Sequence, residues 1–270
     1  MNAMREFAAS ADRCVVIEEG APFLASHLRA AGVEVEDKAE EFRFGELNVA
    51  RVRSILKAEP EQKLETPRGR PPQLCPGCPH RSTFEVLKEL DCIVAGDIGC
   101  YTLGALSPLA ALGSQLCMGA SIGMGLGLRH VLPDDEARRV VSVIGDSTFI
   151  HSGITGLVEM VYNTPPTGHV VVVMDNGTTA MTGLQEHPAT GRLLDGSPAG
   201  RVSIEGIARA LGVGRVSVVD PFKEAERLRE EVRDALTGDG TTVIVARRPC
   251  ILALRRDRRR AEKEGGADAG

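Results

Sequence analysis

Tryptophan is absent and aromatic residues make up only 3% of the 270-residue chain, so stacking platforms for single-stranded nucleic acid are not available in numbers. The net charge of −5 gives no basic field for a nucleic-acid backbone, and the run Arg255 to Arg260 reads as a solvated end. No apolar run approaches the ~20 residues of a membrane span, and the opening MNAMREFAASADR lacks the apolar core of a signal peptide. A cytoplasmic protein without membrane contact is expected. No Gly-Lys-Ser/Thr element is present, which argues against a nucleotide triphosphatase. Gly123-Met124-Gly125 matches part of a dinucleotide fingerprint, but no strand leads into it, so a nicotinamide site is not expected either. The seven cysteines are an odd number in a chain without a secretory signal, which excludes a disulfide framework. No internal repeat is evident.

What is present suits a soluble globular protein with a large core. Hydrophobic residues make up 43% and charged residues 26%, ordinary for such a protein. Residues 1–58 read as a small βαβ-like segment, with a helix end over residues 4–13, apolar strands at Cys14 to Ile17 and Val33 to Val35, and a helix over Pro22 to Ala31. Asn48 is placed to cap a last helix, Val49 to Ala58. Residues 59–73 combine four prolines with charge and read as a linker. Beyond it, over residues 74–252, five apolar runs alternate with helical patterns: Cys92 to Ala95, Val140 to Ile144, Val170 to Met174, Val216 to Val219 and Thr242 to Ala246. That alternation predicts an α/β fold with a doubly wound parallel sheet. A glycine-rich helix is expected over Gln115 to His130, and a disordered, frayed charged tail over residues 253–270.

The stretch Val140 to Gly183 carries the chemistry. Two runs rich in β-branched residues end in Gly145-Asp146 and in Asp175-Asn176-Gly177, which puts Asp146 and Asn176 at the carboxyl ends of two parallel strands. Ligands bind at that edge of an open α/β sheet. Asp146 offers an anionic oxygen, Asn176 a neutral one, and the turn after Asn176 a backbone carbonyl. With phosphate oxygens added, this set suits octahedral Mg²⁺. The amides of Ser147, Thr148 and Phe149, at the start of the following helix, are placed to hold the same diphosphate. Thr178, Thr179 and Thr182 read as polar walls.

A second constellation is built of sulfur. Cys75-Pro76-Gly77-Cys78 follows the linker, Cys100 closes the loop Gly96-Asp97-Ile98-Gly99-Cys100, and Cys250 follows the last strand. The pair supplies two thiolates on one turn, and two loop thiolates can complete a tetrahedral set for zinc or an iron–sulfur cluster; a metal-free structural turn is the alternative. Cys14, Cys92 and Cys117 lie in or near apolar runs and read as reduced core residues. His80, His151 and His187 fall in ligand loops and are candidates for proton transfer or carboxylate orientation. Asp97 either caps a turn or faces a cofactor, and Gly99 lies in the same loop.

These motifs resemble a known family. Gly145-Asp146-Ser147, twenty-seven residues and then Asp175-Asn176 is similar to the thiamine-diphosphate motif, which opens Gly-Asp-Gly and closes Asn-Asn; it departs at Ser147 and Asp175. LCPGCPHRSTF, GDIGCYTLG, GDSTFIHSG and MDNGTTAMTGLQEHPATG resemble the thiamine-diphosphate domain of the 2-oxoacid:ferredoxin oxidoreductases, specifically of indolepyruvate:ferredoxin oxidoreductase α subunits. The match runs from about residue 10 to residue 252. The resemblance implies Mg²⁺ held by the Asp146 and Asn176 side chains and the Thr178 carbonyl, with Gly145, Ser147, Thr148 and Thr179 around the cofactor. It implies a [4Fe–4S] cluster on Cys75, Cys78, Cys100 and Cys250. It also implies oxidative decarboxylation of an aryl 2-oxoacid such as indolepyruvate, transfer of the acyl group to coenzyme A, and electrons passed to ferredoxin. The pyrimidine-side domain and its glutamate have no counterpart here, and Glu18 and Glu19 fall elsewhere in the match. A second subunit or chain is therefore expected to complete the site, and the chain alone is expected to be inactive. The alternatives are a subunit of a non-oxidative thiamine-dependent decarboxylase and a non-catalytic assembly module.

Overall fold

Apolar runs of three or four residues support only short elements, and the amino-terminal part of the chain forms nothing longer. The structure, a computed structural model, describes residues 2–60 and 71–267 and divides into two units, Met1–Arg70 and Pro71–Gly270. Residues 61–70 of the expected linker and the last three residues of the expected tail lie outside the described residues. The first unit comprises α1 (Asn2–Ala9), β1 (Val15–Val16), α2 (Phe23–Ala30), β2 (Glu36–Asp37) and α3 (Val49–Lys57). Asn48 caps α3 as expected, its side chain accepting the Arg51 amide at 3.0 Å. The second strand falls later than expected. Val35 packs with Ala25 and Leu28 instead, and the parallel pairing joins Val15 to Glu36 and Val16 to Asp37. Glu18 accepts the Leu24 and Ala25 amides at 2.8 and 3.0 Å, so its carboxylate is engaged at the start of α2.

The second unit runs α4 (Pro79–Glu89), β3 (Ile93–Gly96), β4 (Ser114–Gln115), α5 (Ser121–Val131), α6 (Asp134–Arg138), β5 (Val140–Gly145), α7 (Asp146–Thr148), α8 (Ile154–Tyr162), β6 (His169–Asp175), α9 (Ile204–Ala210), β7 (Arg215–Val219), α10 (Ala225–Thr237), β8 (Thr241–Arg247) and α11 (Ile251–Ala267). All six strands pair in parallel, in the order β4-β3-β5-β6-β8-β7. Alternate residues of the central strands feed two cores. Val141, Val143, Val170 and Val172 pack with Phe84 and Leu87 of α4 and Leu228 and Val232 of α10. Val171, Val173, Val243 and Val245 pack with Ile122 of α5, Leu157 of α8 and Ile204 of α9. Helices therefore cover both faces, which explains strands that are apolar throughout. Among the described residues no helix is long and apolar enough to cross a membrane.

Two expectations need correction. The helix expected over Gln115 to His130 begins only at Ser121, because Ser114–Gln115 pairs with β3 at the sheet edge and Gly119 adopts a left-handed φ of 89°. The tail from residue 253, expected to be disordered, belongs to α11. Leu, Ala, Arg, Glu and Lys are good helix formers, and Arg256 is anchored by donating to the Leu184 carbonyl at 2.7 Å.

One packing detail at the opposite edge of the sheet sets acid sensitivity. Gly125 of α5 lies so close to β5 and β6 that a Cβ there would stand 2.9 Å from His169 Cε1. His169 is fully buried, with Nε2 2.9 Å from Ser142 Oγ, and burial, helped by Arg129 and His130, holds its pKa well below the usual range. The folded form therefore refuses a proton that the unfolded chain accepts below about pH 6.5. Stability should fall as pH drops below that value, and His169→Gln should show a shallower fall in urea titrations run between pH 7 and 5.

Candidate active site at the carboxyl edge of the sheet

The strand order creates the crevice. After β3 the chain moves outward to β4, whereas after β5 it moves the other way to β6, so the loops leaving β3 and β5 diverge. Ligand crevices open at such switch points. Here a cavity of about 200 Å³ is walled by Ile98, Gly99 and Tyr101 after β3, Gly145 to Thr148 after β5, and Asn176, Thr178 and Thr179 after β6.

Asp146 is the centre of this edge. It is nearly fully buried; Oδ1 accepts the Ser147 amide at 2.8 Å and Oδ2 accepts the Gly177 amide at 2.8 Å. The second bond joins the β5 loop to the β6 turn. Asn176 Oδ1 accepts the Thr178 amide at 3.0 Å, and Thr178 Oγ1 donates to the Gln185 carbonyl at 3.1 Å. Thr179 pairs with Gln185 in an antiparallel bridge that closes the turn. Gly177 has a φ of 70°, which lets the chain reverse between the two strands. The fold thus brings Asp146, Asn176 and Thr178 together, with Asp146 Oδ1 and Asn176 Oδ1 each keeping lone-pair capacity beyond the bond named.

Ser147, Thr148, Thr179, Gly99 and Gly145 all border the cavity. Their roles differ from a plain phosphate cradle. The Ser147 amide already serves Asp146, and the Phe149 amide is held by the Asp146 carbonyl. Gly99 and Gly145 make room for the Tyr101 ring, whose Cε1 would lie 2.5 and 2.8 Å from a Cβ at those positions. Tyr101 donates its hydroxyl to the Ile98 carbonyl at 2.9 Å, and burial pushes its phenol up, so it stays protonated. Asp97 is fully buried and turned to capping: it accepts the Gly119 amide at 2.8 Å and the Ser121 amide at 3.0 Å, tying the β3 loop to the start of α5.

The three histidines separate. Among the described residues lining the 200 Å³ cavity there is none. His187 is buried behind Asp146, with Nε2 3.2 Å from Oδ2, while its Nδ1 accepts the Ala189 amide at 3.3 Å. That pair of bonds leaves Nδ1 as the acceptor and directs Nε2 at the carboxylate. His80 is buried, accepts from Asn176 Nδ2 at 3.1 Å, and is pushed down to about 4 by burial against the opposing pull of Asp146. His151 is exposed on the π-helical turn Phe149–Gly153.

Asp175, where the resembled motif has Asn, explains itself through a partner on the next strand. It lies opposite Arg247 in the β6–β8 register, and Arg247 Nε donates to its Oδ2 at 2.6 Å. Arg247 also donates to Glu205 at 2.7 Å, holding that carboxyl down to about 2, and Arg201 stands 3.6 Å from Asp175. Burial and the nearby Asp146 carboxylate push Asp175 up against these arginines. Sequence reading missed this network; its only signal was an arginine at the end of the β8 run.

The sulfur constellation converges. Cys75, Cys78, Cys100 and Cys250 line one cavity of about 50 Å³, together with His80 and Asn176. All four are free thiols. Burial, and then the proximity of Cys75, Cys250 and Cys100, pushes Cys78 up to about 11. Cys100 is raised in the same way, by burial and then by Cys250 and Cys75. Thiols that oppose one another's ionisation are reversed by a bound cation. Among the described residues no three His, Cys, Asp or Glu side chains are gathered closely enough to hold a single metal ion. Cys100, Asn176 and Ala180 border both this cavity and the larger one.

Comparison with known proteins places this geometry. Residues 97–246 match the model of the thiamine pyrophosphate enzyme C-terminal TPP binding domain. Indolepyruvate oxidoreductase subunit IorA of Archaeoglobus fulgidus is 38% identical over 96% of this chain and 44% of its own length. The IorA of Methanothermobacter thermautotrophicus is 35% identical over 93% of this chain and 43% of its own, and that of Pyrococcus horikoshii is 42% identical over 71% and 31%. The chain thus spans less than half the length of these relatives. Among solved structures, the 2-oxoglutarate:ferredoxin oxidoreductase from Magnetococcus marinus, with 2-oxoglutarate, coenzyme A and succinyl-CoA bound, shares the fold at a TM-score of 0.54 and 18% identity, covering 66% of this chain and 64% of its own. Since the family model spans more than half of the residues and takes in both Asp146 and Asn176, the chain belongs to the thiamine pyrophosphate enzymes, through their C-terminal cofactor-binding domain.

Proposed function

We propose that this chain is the diphosphate-binding part of a 2-oxoacid:ferredoxin oxidoreductase, acting on an aryl 2-oxoacid such as indolepyruvate. One observation carries the reading beyond thiamine chemistry in general: four cysteines line a cavity that shares Cys100, Asn176 and Ala180 with the cofactor cavity. A non-oxidative decarboxylase needs no one-electron acceptor beside its cofactor, so four thiols there favour the oxidative reading.

The residues fit the groups this reading requires. Asp146 and Asn176 offer hard oxygens on either side of one bond, the Gly177 amide to Asp146 at 2.8 Å, and Mg²⁺ suits such donors together with diphosphate oxygens and the Thr178 carbonyl. A divalent cation there would also offset two buried carboxylates, Asp146 and Asp175. Cys75, Cys78, Cys100 and Cys250 supply the soft ligands of a [4Fe–4S] cluster. Thiamine diphosphate, when bound, supplies the nucleophile for the keto carbon and the sink for its electrons, and a cluster supplies one-electron acceptance. The chain's own residues hold and orient. Asp146, Asn176 and Thr178 fix the diphosphate end, His187 fixes Asp146, and Tyr101, Ile98 and Met118 form an apolar wall suited to the thiazolium ring. Coenzyme A receives the acyl group, ferredoxin the electrons, and a second subunit or chain supplies the pyrimidine side.

The test is turnover after completion of the site. The chain, reconstituted without oxygen and combined with the remaining portion of an archaeal relative, should reduce a one-electron dye in a manner dependent on 2-oxoacid and coenzyme A. Aldehyde release without dye reduction would overturn the oxidative reading in favour of simple decarboxylation.

A further inference from the structure

Asn176 is held from the sulfur side. Its Oδ1 accepts the Thr178 amide at 3.0 Å, and its Nδ2 donates to His80 Nε2 at 3.1 Å. Its own carbonyl accepts the Cys250 amide at 2.9 Å. His80 is the second residue of α4, directly after the Cys78 cap, and it lines the cysteine cavity. The ring is 3% exposed and stands edge-on to Tyr101, with centroids 5.9 Å apart. Nothing in that packing leaves it free to turn.

A carboxamide has two ends of similar shape and opposite chemistry: oxygen accepts or ligates, nitrogen only donates. If the His80 acceptor were lost, Asn176 Nδ2 would be a buried donor without a partner, a state the amide could relieve only by rotating at the expense of its bond from the Thr178 amide. Rotation would carry the oxygen away from the metal position. We infer that His80 is a positioning residue, whose Nε2 selects the Asn176 rotamer that presents Oδ1 at the cofactor edge. The inference rests on the metal role given to Asn176 above. It assigns His80 a task that needs no proton transfer and no contact with substrate. It also makes α4, which begins at the cysteine turn, part of the support of the diphosphate site, so that the two cavities are joined by a side chain as well as by shared walls.

The probe is Mn²⁺ with inorganic diphosphate, followed by the EPR signal of free Mn²⁺, on the full chain as wild type, His80→Leu and His80→Gln. Leucine keeps the bulk and removes the acceptor; glutamine brings Oε1 close to the position of Nε2. His80→Leu should bind Mn²⁺ about tenfold more weakly, the scale of one lost buried hydrogen bond, and His80→Gln should recover to within about threefold of wild type. An unchanged affinity in His80→Leu would overturn the inference while leaving the metal site intact. So would a His80→Gln as weak as His80→Leu with an unaltered melting temperature. Absence of Mn²⁺ binding in the wild type would instead overturn the metal reading itself, and the inference with it.

Discussion

Asp146→Ala should abolish Mg²⁺-dependent binding of thiamine diphosphate, lowering affinity by more than about 100-fold in calorimetric titration. The carboxylate is the anionic donor of the proposed metal set, and it also ties the two ligand loops together through the Gly177 amide at 2.8 Å. Its removal would therefore delete a ligand of the proposed metal site and unpin the turn that presents Asn176 and Thr178. His187 supplies the calibration. Among the described residues its side chain bonds the site through Asp146, at 3.2 Å, so His187→Leu should fall within the roughly 10- to 100-fold loss typical of residues that orient a metal ligand. Thiamine diphosphate bound to Asp146→Ala as tightly as to wild type would remove the diphosphate site from this edge. Losses of equal size in both variants would mean that His187 acts by more than orienting Asp146.

Arg247→Met should be the most destabilising single change near the site. It leaves the Asp175 carboxylate, 1% exposed, with Arg201 at 3.6 Å as its remaining cationic partner among the described residues and with Asp146 nearby. Breaking a buried ion pair from one side costs about 3–5 kcal/mol, and the partial exposure of Arg247 places the expected value at the lower end. Urea unfolding reads this directly. Asp175→Asn in the same chain should recover most of the loss, since an amide oxygen can still accept the Gly177 amide that Asp175 Oδ1 accepts at 3.2 Å. If the double variant were no more stable than Arg247→Met, the cost would lie in the lost Glu205 bonds and packing rather than in a stranded Asp175 charge.

These two sites show what a sequence can and cannot carry. Asp146 was legible because a β-branched run that ends in Gly-Asp declares both a strand and its carboxyl end, and Asn176 for the same reason. The four cysteines were picked out by the Cys-x-x-Cys pair after the linker and by the two loops that follow strands, and they line one cavity. The Asp175–Arg247 pair was not. It depends on the register of β6 against β8, strands separated in sequence by β7. Nor was the hold of His187 on Asp146, which requires the chain to fold back after the β6 turn. Local patterns also misled where tertiary contacts decide. Ser114–Gln115 is too short to declare itself and becomes a strand only by pairing with β3, while the charged run after Cys250 reads as frayed until Arg256 finds the Leu184 carbonyl. Gly145 was expected beside the cofactor, yet Gly99 and Gly145 also make room for the Tyr101 ring.

The most direct test of the account is the iron and acid-labile sulfide content, with an EPR spectrum of the reduced form, of the chain reconstituted without oxygen beside Cys100→Ala. About four irons and four sulfides per chain in the wild type, lost in Cys100→Ala, are the expected result. A wild type that binds thiamine diphosphate yet takes up no iron would contradict the sulfur half of the account and leave non-oxidative decarboxylation in its place.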